Sequence, residues 1–154
     1  MLNRDYPDQV CSIARSLEVV GERWTLLILR DAVVGLRRFE DFQASLGIAT
    51  NVLTNRLRLL CDERVLERVP DPQRPGRPMY VLTDKGRELA PALIVLMKWG
   101  DRHYPALNGP PRLTVHADCG GDVGPDLRCQ RCGKPLGRGE LELPPGPGAP
   151  GAAG

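Results

Sequence analysis

The chain has 154 residues, 42% hydrophobic and 26% charged, enough for one ordinary domain or a small domain with an appendage, and too little for a large multidomain enzyme. Its formal net charge is +2, from 21 Lys and Arg against 19 Asp and Glu, so bulk charge does not mark a polyanion binder and only the placement of the charges can. No run approaches the roughly 18–20 apolar residues of a membrane span, and the opening MLNRDYPDQ has no signal-peptide core, which predicts a cytoplasmic protein with no membrane attachment.

Residues 10–20 place Val10, Ile13, Ala14 and Leu17 at helical spacing before Gly21, which predicts a first helix. Residues 22–34 (ERWTLLILRDAVV) are apolar on nearly every side through Trp24, Leu26, Leu27, Ile28 and Leu29, the pattern of a helix at the centre of a core. Gly35 ends it. Phe39, Phe42 and Leu46 then share one face of a short third helix over 38–46, closed by Gly47.

The fourth helix, over 50–64, has two distinct faces. Leu53, Leu57 and Leu60, bordered by Val52 and Cys61, recur every three or four residues as a buried stripe. Opposite stand Thr50, Asn51, Thr54, Asn55 and Arg58. Thr and Asn are mediocre helix formers, so this face points to a use in recognition rather than to helix stability. The bland alternative is that Thr50 merely caps the helix. Residues 65–69 and 79–82 read as two short strands around PDPQRPGRP, a hairpin whose tip carries Arg74 and Arg77 on a loop stiffened by prolines. Thr83 is positioned to cap one long helix from Asp84 to about Tyr104, disturbed by Pro91. Its run 92–97 is apolar all round, which predicts that a partner chain covers part of it.

Three short helices, a polar-faced fourth and a basic hairpin in that order predict a mainly α fold with a small β-hairpin wing, a winged helix-turn-helix. In that arrangement the fourth helix enters the major groove, where Asn can pair with adenine, Arg with guanine and Thr with thymine. Arg37 and Arg38 at the start of the third helix, with Arg74 and Arg77 on the wing, are placed for phosphates.

The sequence also resembles a known family, the HxlR-type branch of the MarR-like transcriptional regulators. The resemblance runs over residues 8–104. It is carried by Cys11, the string Gly21-Glu22-Arg23-Trp24-Thr25-Leu26-Leu27-Ile28-Leu29-Arg30, Arg38-Phe39, Gly47-Ile48 and Leu53-Thr54-Asn55-Arg56-Leu57. Arg77-Pro78-Met79-Tyr80-Val81-Leu82-Thr83, Gly86, Leu89 and Trp99 complete it. It implies a homodimer joined through the first and last helices that binds a near-palindromic operator and regulates nearby genes, as a repressor in the first instance, with a small molecule or an oxidant as effector. Relatives use a first-helix cysteine to sense oxidants, which makes Cys11 the candidate redox sensor, whereas an inert thiol on an apolar helix face is the alternative.

Residues 1–107 are therefore expected to form the DNA-binding and dimerisation domain, 108–143 a Cys- and His-rich appendage, and 144–154 (PPGPGAPGAAG) a disordered tail. Five cysteines cannot all pair within one chain, and a cluster in a reducing compartment points to metal or redox chemistry. His116-x-x-Cys119 and Cys129-x-x-Cys132, each ending in Cys-Gly, have the spacing of a structural Zn²⁺ site resembling a zinc ribbon. A Cys129–Cys132 disulfide, an unmetallated loop, or another ligand in place of His116 are the alternatives. An enzyme is not expected: no P-loop, nucleotide fingerprint or HExxH is present, and Cys3His would leave zinc no open position. Two other readings stand beside the regulator: a winged helix that binds protein without DNA, and a zinc or thiol enzyme.

Overall fold

The computed structural model describes residues 8–137 and 139–151, and the chain divides into two units, Met1–Glu88 and Leu89–Gly154. The first unit contains α1 (Ser12–Val20), α2 (Thr25–Val34), α3 (Phe39–Leu46) and α4 (Thr50–Asp62). These are followed by β1 (Leu66–Pro70), β2 (Pro78–Leu82) and the single turn α5 (Asp84–Arg87). Its core joins Ile28 and Leu29 of α2, Phe42 of α3, Ile48 of the intervening turn, Leu53, Leu57 and Leu60 of α4, and Val65 with Leu66. The apolar periodicity of α3 and α4 thus points inward as the spacing predicts. Gly47, at φ +60°, reverses the chain between α3 and α4.

The strands pair antiparallel from Leu66 opposite Leu82 to Pro70 opposite Pro78. The amide of Tyr80 donates to the carbonyl of Arg37 at 2.7 Å, tying the hairpin to the segment before α3.

Several local expectations are corrected. α2 begins at Thr25 rather than residue 22, and the carboxylate of Glu22 accepts the Trp24 N–H just ahead of it at 3.0 Å. α2 is also less apolar inside than its composition suggests, because Thr25 and Asp31 are buried and Asp31 is paired with Arg30 at 2.7 Å. α1 buries none of its residues: Ile13 is 69% and Val10, just ahead of the helix, 93% exposed.

The expected long helix is two. Thr83 caps α5 by accepting the Gly86 N–H at 3.1 Å, and the chain restarts as α6 (Ala90–His103) with Pro91 in its first turn. A proline there loses no helical hydrogen bond, so it starts a helix instead of bending one.

α6 belongs to the second unit, so the expected boundary at residue 107 is replaced by one at residue 88. Ile94 is fully buried within the single chain and Leu93 nearly so, whereas Val95, Leu96 and Trp99 stay exposed. Ile94 therefore does not need a partner chain to cover it. Beyond α6, β3 (Val115–His116) pairs antiparallel with β4 (Leu141–Glu142), and short bridges join Val115 to Asp122, Val123 to Cys129 and Arg128 to Pro135. Thr114, His116, Val123, Cys129 and Leu143 form its small interior.

The expectation of a disordered tail fails for residues 144–151. Arg112 bridges to Pro145, the Leu113 N–H donates to the Pro144 carbonyl at 3.0 Å and the Gly146 N–H to the Pro111 carbonyl at 2.9 Å. Two backbones meet so closely here that a Cβ on Gly146 would strike the carbonyl oxygen of Pro110, which is why a glycine-rich segment serves. Residues 152–154 lie outside the described part. Among the described residues no helix is long and apolar enough to cross a membrane.

Candidate nucleic-acid interface and candidate metal centre

Thr50, Asn51, Thr54, Asn55 and Arg58 are all exposed on α4, and Leu53, Leu57 and Leu60 anchor the opposite side. Burial of the leucine stripe fixes the rotation of the helix, so the polar stripe faces solvent as a consequence. The N-cap is Ala49, with no side-chain cap, so the capping role considered for Thr50 does not apply. Thr50 instead accepts a hydrogen bond from the amide of Gln43 at 2.8 Å, and the Thr54 hydroxyl donates to the Thr50 carbonyl at 2.8 Å. Asn51, Asn55 and Arg58 carry the donors and acceptors that base edges require.

The wing is braced rather than loose. Asp71, at its base, is buried and accepts from Arg38 at 2.7 Å through Oδ2 and 3.4 Å through Oδ1. The same guanidinium donates to Gln73 at 2.7 Å, and the Gln73 N–H donates to Asp71 at 2.9 Å. Arg38 first, then the Gln73 amide, hold the Asp71 carboxyl below the usual carboxylate range. Arg38 is thus occupied within the fold, whereas Arg37 is exposed without a carboxylate partner among the described residues. Arg74 and Arg77 are exposed but share one carboxylate, Glu40 of α3, at 3.7 and 2.6 Å. The Glu40 carboxyl is held low by its own backbone N–H at the start of α3, then by Arg77 and Arg74. Asp71 and Glu40 escape sequence reading, because a single acid in a polar segment has no periodicity and each arginine partner lies over 30 residues away.

Cys11 stands at the N-cap of α1, exposed, and not on its apolar face. The N–H groups of Ala14 and then Ile13 lower its pKa from the ordinary thiol value, the expected influence of a helix N-terminus. Cys61, by contrast, is pushed up by burial.

In the second unit His116, Cys119, Cys129 and Cys132 converge, with all four ligand atoms within 4.8 Å of one another. His116 Nδ1 lies 3.4 Å from the Cys119 sulfur and 3.5 Å from that of Cys132, and the Cys119 and Cys129 sulfurs are 3.4 Å apart. A tetrahedron with Zn–S near 2.3 Å and Zn–N near 2.0–2.1 Å has edges of about 3.5–3.8 Å, so the cluster has the dimensions to hold a metal ion.

Two matching turns present the four side chains. The Gly120 N–H returns to the His116 carbonyl at 2.8 Å and the Gly133 N–H to the Cys129 carbonyl at 2.9 Å. Both glycines are left-handed, at φ +68° and +70°, which is why glycine follows Cys119 and Cys132. The backbone N–H groups of Cys132 and then Arg131 lower the Cys129 thiol to about 6. At Cys119 the Gly121 N–H acts in the same direction but is outweighed by Cys129, burial and Cys132, and its thiol is raised. Glu140, absent from the sequence reading, lies 3.3 Å from His116 Nε2. It could have been found only from the strand pairing that sets Leu141 opposite His116.

An exposed polar helix next to a braced basic hairpin, over a helical core, defines a winged helix-turn-helix DNA-binding regulator. Residues 19–108 match the HxlR-like helix-turn-helix family, and the chain belongs to that family. It is 45% identical over 137 residues to an uncharacterized HTH-type transcriptional regulator of Mycobacterium tuberculosis, covering 89% of this chain and 87% of that protein. Since 154 minus 137 leaves at most 17 residues unmatched, that likeness takes in the segment 116–132 as well as the winged helix. It is also similar to the crystal structure of PA1607, a candidate transcription factor, at 40% identity and TM-score 0.69, covering 83% of this chain and 89% of that one. The reduced redox regulator HypR is a further structural neighbour, at 28% identity and TM-score 0.55, covering 60% and 95% respectively. The protein is accordingly a DNA-binding transcriptional regulator with a Cys/His cluster, in a family of regulators rather than of enzymes.

Proposed function

We propose that the protein binds a near-palindromic operator as a homodimer and represses neighbouring genes from the cytoplasm. The observation that carries this reading is the α4 face of Thr50, Asn51, Thr54, Asn55 and Arg58, solvent-exposed over a fully buried leucine stripe. Asn51, Asn55 and Arg58 read base edges, with Thr50 and Thr54 adding hydroxyl and methyl contacts. Arg37, Arg74 and Arg77 contact phosphates; Arg38 supports the wing from below. The dimer reading rests on two apolar faces that the described residues leave exposed, Ile13 and Leu17 of α1 with Val10 just ahead of it, and Val95, Leu96 and Trp99 on α6.

His116, Cys119, Cys129 and Cys132 hold one Zn²⁺, whose role is structural because four protein ligands leave no site for water. Cys11 is the oxidant-responsive thiol, supported by its exposure and lowered pKa at a helix N-terminus. The name of the redox regulator HypR is consistent with an oxidant effector. Footprinting on the promoters of the protein's own and adjacent genes tests the reading. A protected site with two symmetric halves about one helical turn apart is expected. Equal affinity for all DNA, or none, would overturn it.

A further inference from the structure

We infer that Glu140 is the positioning residue of the metal centre: it takes the Nε2 proton of His116 in a hydrogen bond and so directs the unprotonated Nδ1 at the metal. This rests on the reading of the four-ligand cluster as a metal site. A neutral imidazole carries one proton, and it is a ligand only through the nitrogen without it. The ring of His116 is fully buried and its two nitrogens face different surroundings. Nδ1 faces two sulfurs at 3.4 and 3.5 Å, and Nε2 faces Glu140 Oε2 at 3.3 Å. With the proton on Nδ1, an N–H would point into the thiolate cluster and block the metal. With the proton on Nε2, it meets a carboxylate and leaves a lone pair for the ion. A ligating histidine that donates its other N–H to a carboxylate is both oriented and made more basic.

The carboxylate is itself held. The Gly137 N–H donates to the same Oε2 at 2.7 Å, and the Ala117 N–H donates to the Glu140 carbonyl at 2.8 Å. Pairing of His116 with Leu141 across β3 and β4 sets the two residues side by side. Asp118 and Glu140 also gather with His116 as a second cluster. The same imidazole would then have to lose both protons to bind ions on both sides, so a single metal at the Cys3His set is the simpler occupancy.

The test uses the full-length protein loaded with Zn²⁺ or Co²⁺, comparing wild type, Glu140→Ala, Glu140→Gln and the neighbouring control Glu142→Ala. Competition with a chromophoric chelator gives zinc affinity, and the visible spectrum of the cobalt form reports the ligand set. One metal per chain is expected. Glu140→Ala should weaken zinc roughly 10–100-fold and shift the cobalt bands. Glu140→Gln, whose amide oxygen still accepts the Nε2–H, should stay within a few-fold of wild type, as should Glu142→Ala. A wild type that binds no metal would remove the metal-centre reading itself. Wild-type binding with Glu140→Ala unchanged, with Glu142→Ala equally weak, or with two ions per chain would overturn the role of Glu140 alone.

Discussion

Arg38 and Asp71, 33 residues apart, form a two-pronged ion pair at 2.7 and 3.4 Å beneath the wing, and the carboxylate is buried. Because the Arg38 guanidinium also reaches Gln73, the pair fastens the hairpin to the start of α3.

Asp71→Asn should therefore lower thermal stability and weaken DNA binding even though Asp71 itself touches no phosphate. The Asp71 pKa is depressed in the fold, so its stabilisation is present above the ordinary Asp value of about 4 and is lost as pH falls through the lower folded value. Thermal melts followed by circular dichroism should show wild type above Asp71→Asn at neutral pH, with the gap closing below about pH 4. A gap that is constant with pH would remove the ion pair from the account.

Glu40 holds both wing arginines, at 3.7 and 2.6 Å. Glu40→Gln releases them and removes a negative charge near the phosphates. Affinity for DNA of any sequence should rise several-fold, with a steeper fall of log affinity against log salt. Arg77→Ala should do the opposite, weakening all sequences alike. Filter-binding titrations across salt concentrations decide it.

Light scattering should report about twice the chain mass of 16.9 kDa. Ile13→Glu or Leu96→Glu, each placing a charge on an exposed apolar face, should shift the protein to monomer and weaken operator binding together. Stable monomers of the wild type at micromolar concentration would contradict the dimer.

Metal removal should be felt first in the second unit. Lys98 of α6 is paired with Asp122 at 2.7 Å, and Asp122 also accepts from Thr114 at 3.0 Å, so the segment that carries the Cys/His cluster is fastened to α6. With a metal on board, a segment of so few large apolar side chains gains on the order of 10 kcal/mol. Chelation should expose residues 108–143 to protease while the α2–α4 core stays protected. Equal protection with and without chelator would contradict the structural role of the site.

What the sequence made legible follows from periodicity and spacing. The two faces of α4 were readable because Leu53, Leu57 and Leu60 obey the helical repeat. The convergence of His116, Cys119, Cys129 and Cys132 is readable because two short pairs, each ending before a glycine, leave few geometries. Asp71, Glu40 and Glu140 were not, since each acts through a partner brought near only by tertiary folding. The break between α5 and α6 was hidden because no strong breaker occupies Glu88 or Leu89, and Pro91 is innocuous in a first turn. The pairing of the tail is not legible in sequence because Pro and Gly suppress periodic patterns without preventing backbone pairing, as residues 144–148 with 110–113 demonstrate.

Base reading by α4 is the property on which operator preference depends under the proposed function. Its most direct measurement is a paired gel-shift titration of wild type, Asn55→Ala and Arg58→Ala on the footprinted operator and on a scrambled duplex at the same salt. Each variant should lose about 1–3 kcal/mol of discrimination between the two duplexes while nonspecific affinity changes little for Asn55→Ala. Unchanged discrimination in both variants, with wild type clearly preferring its operator, would contradict the assignment of this face.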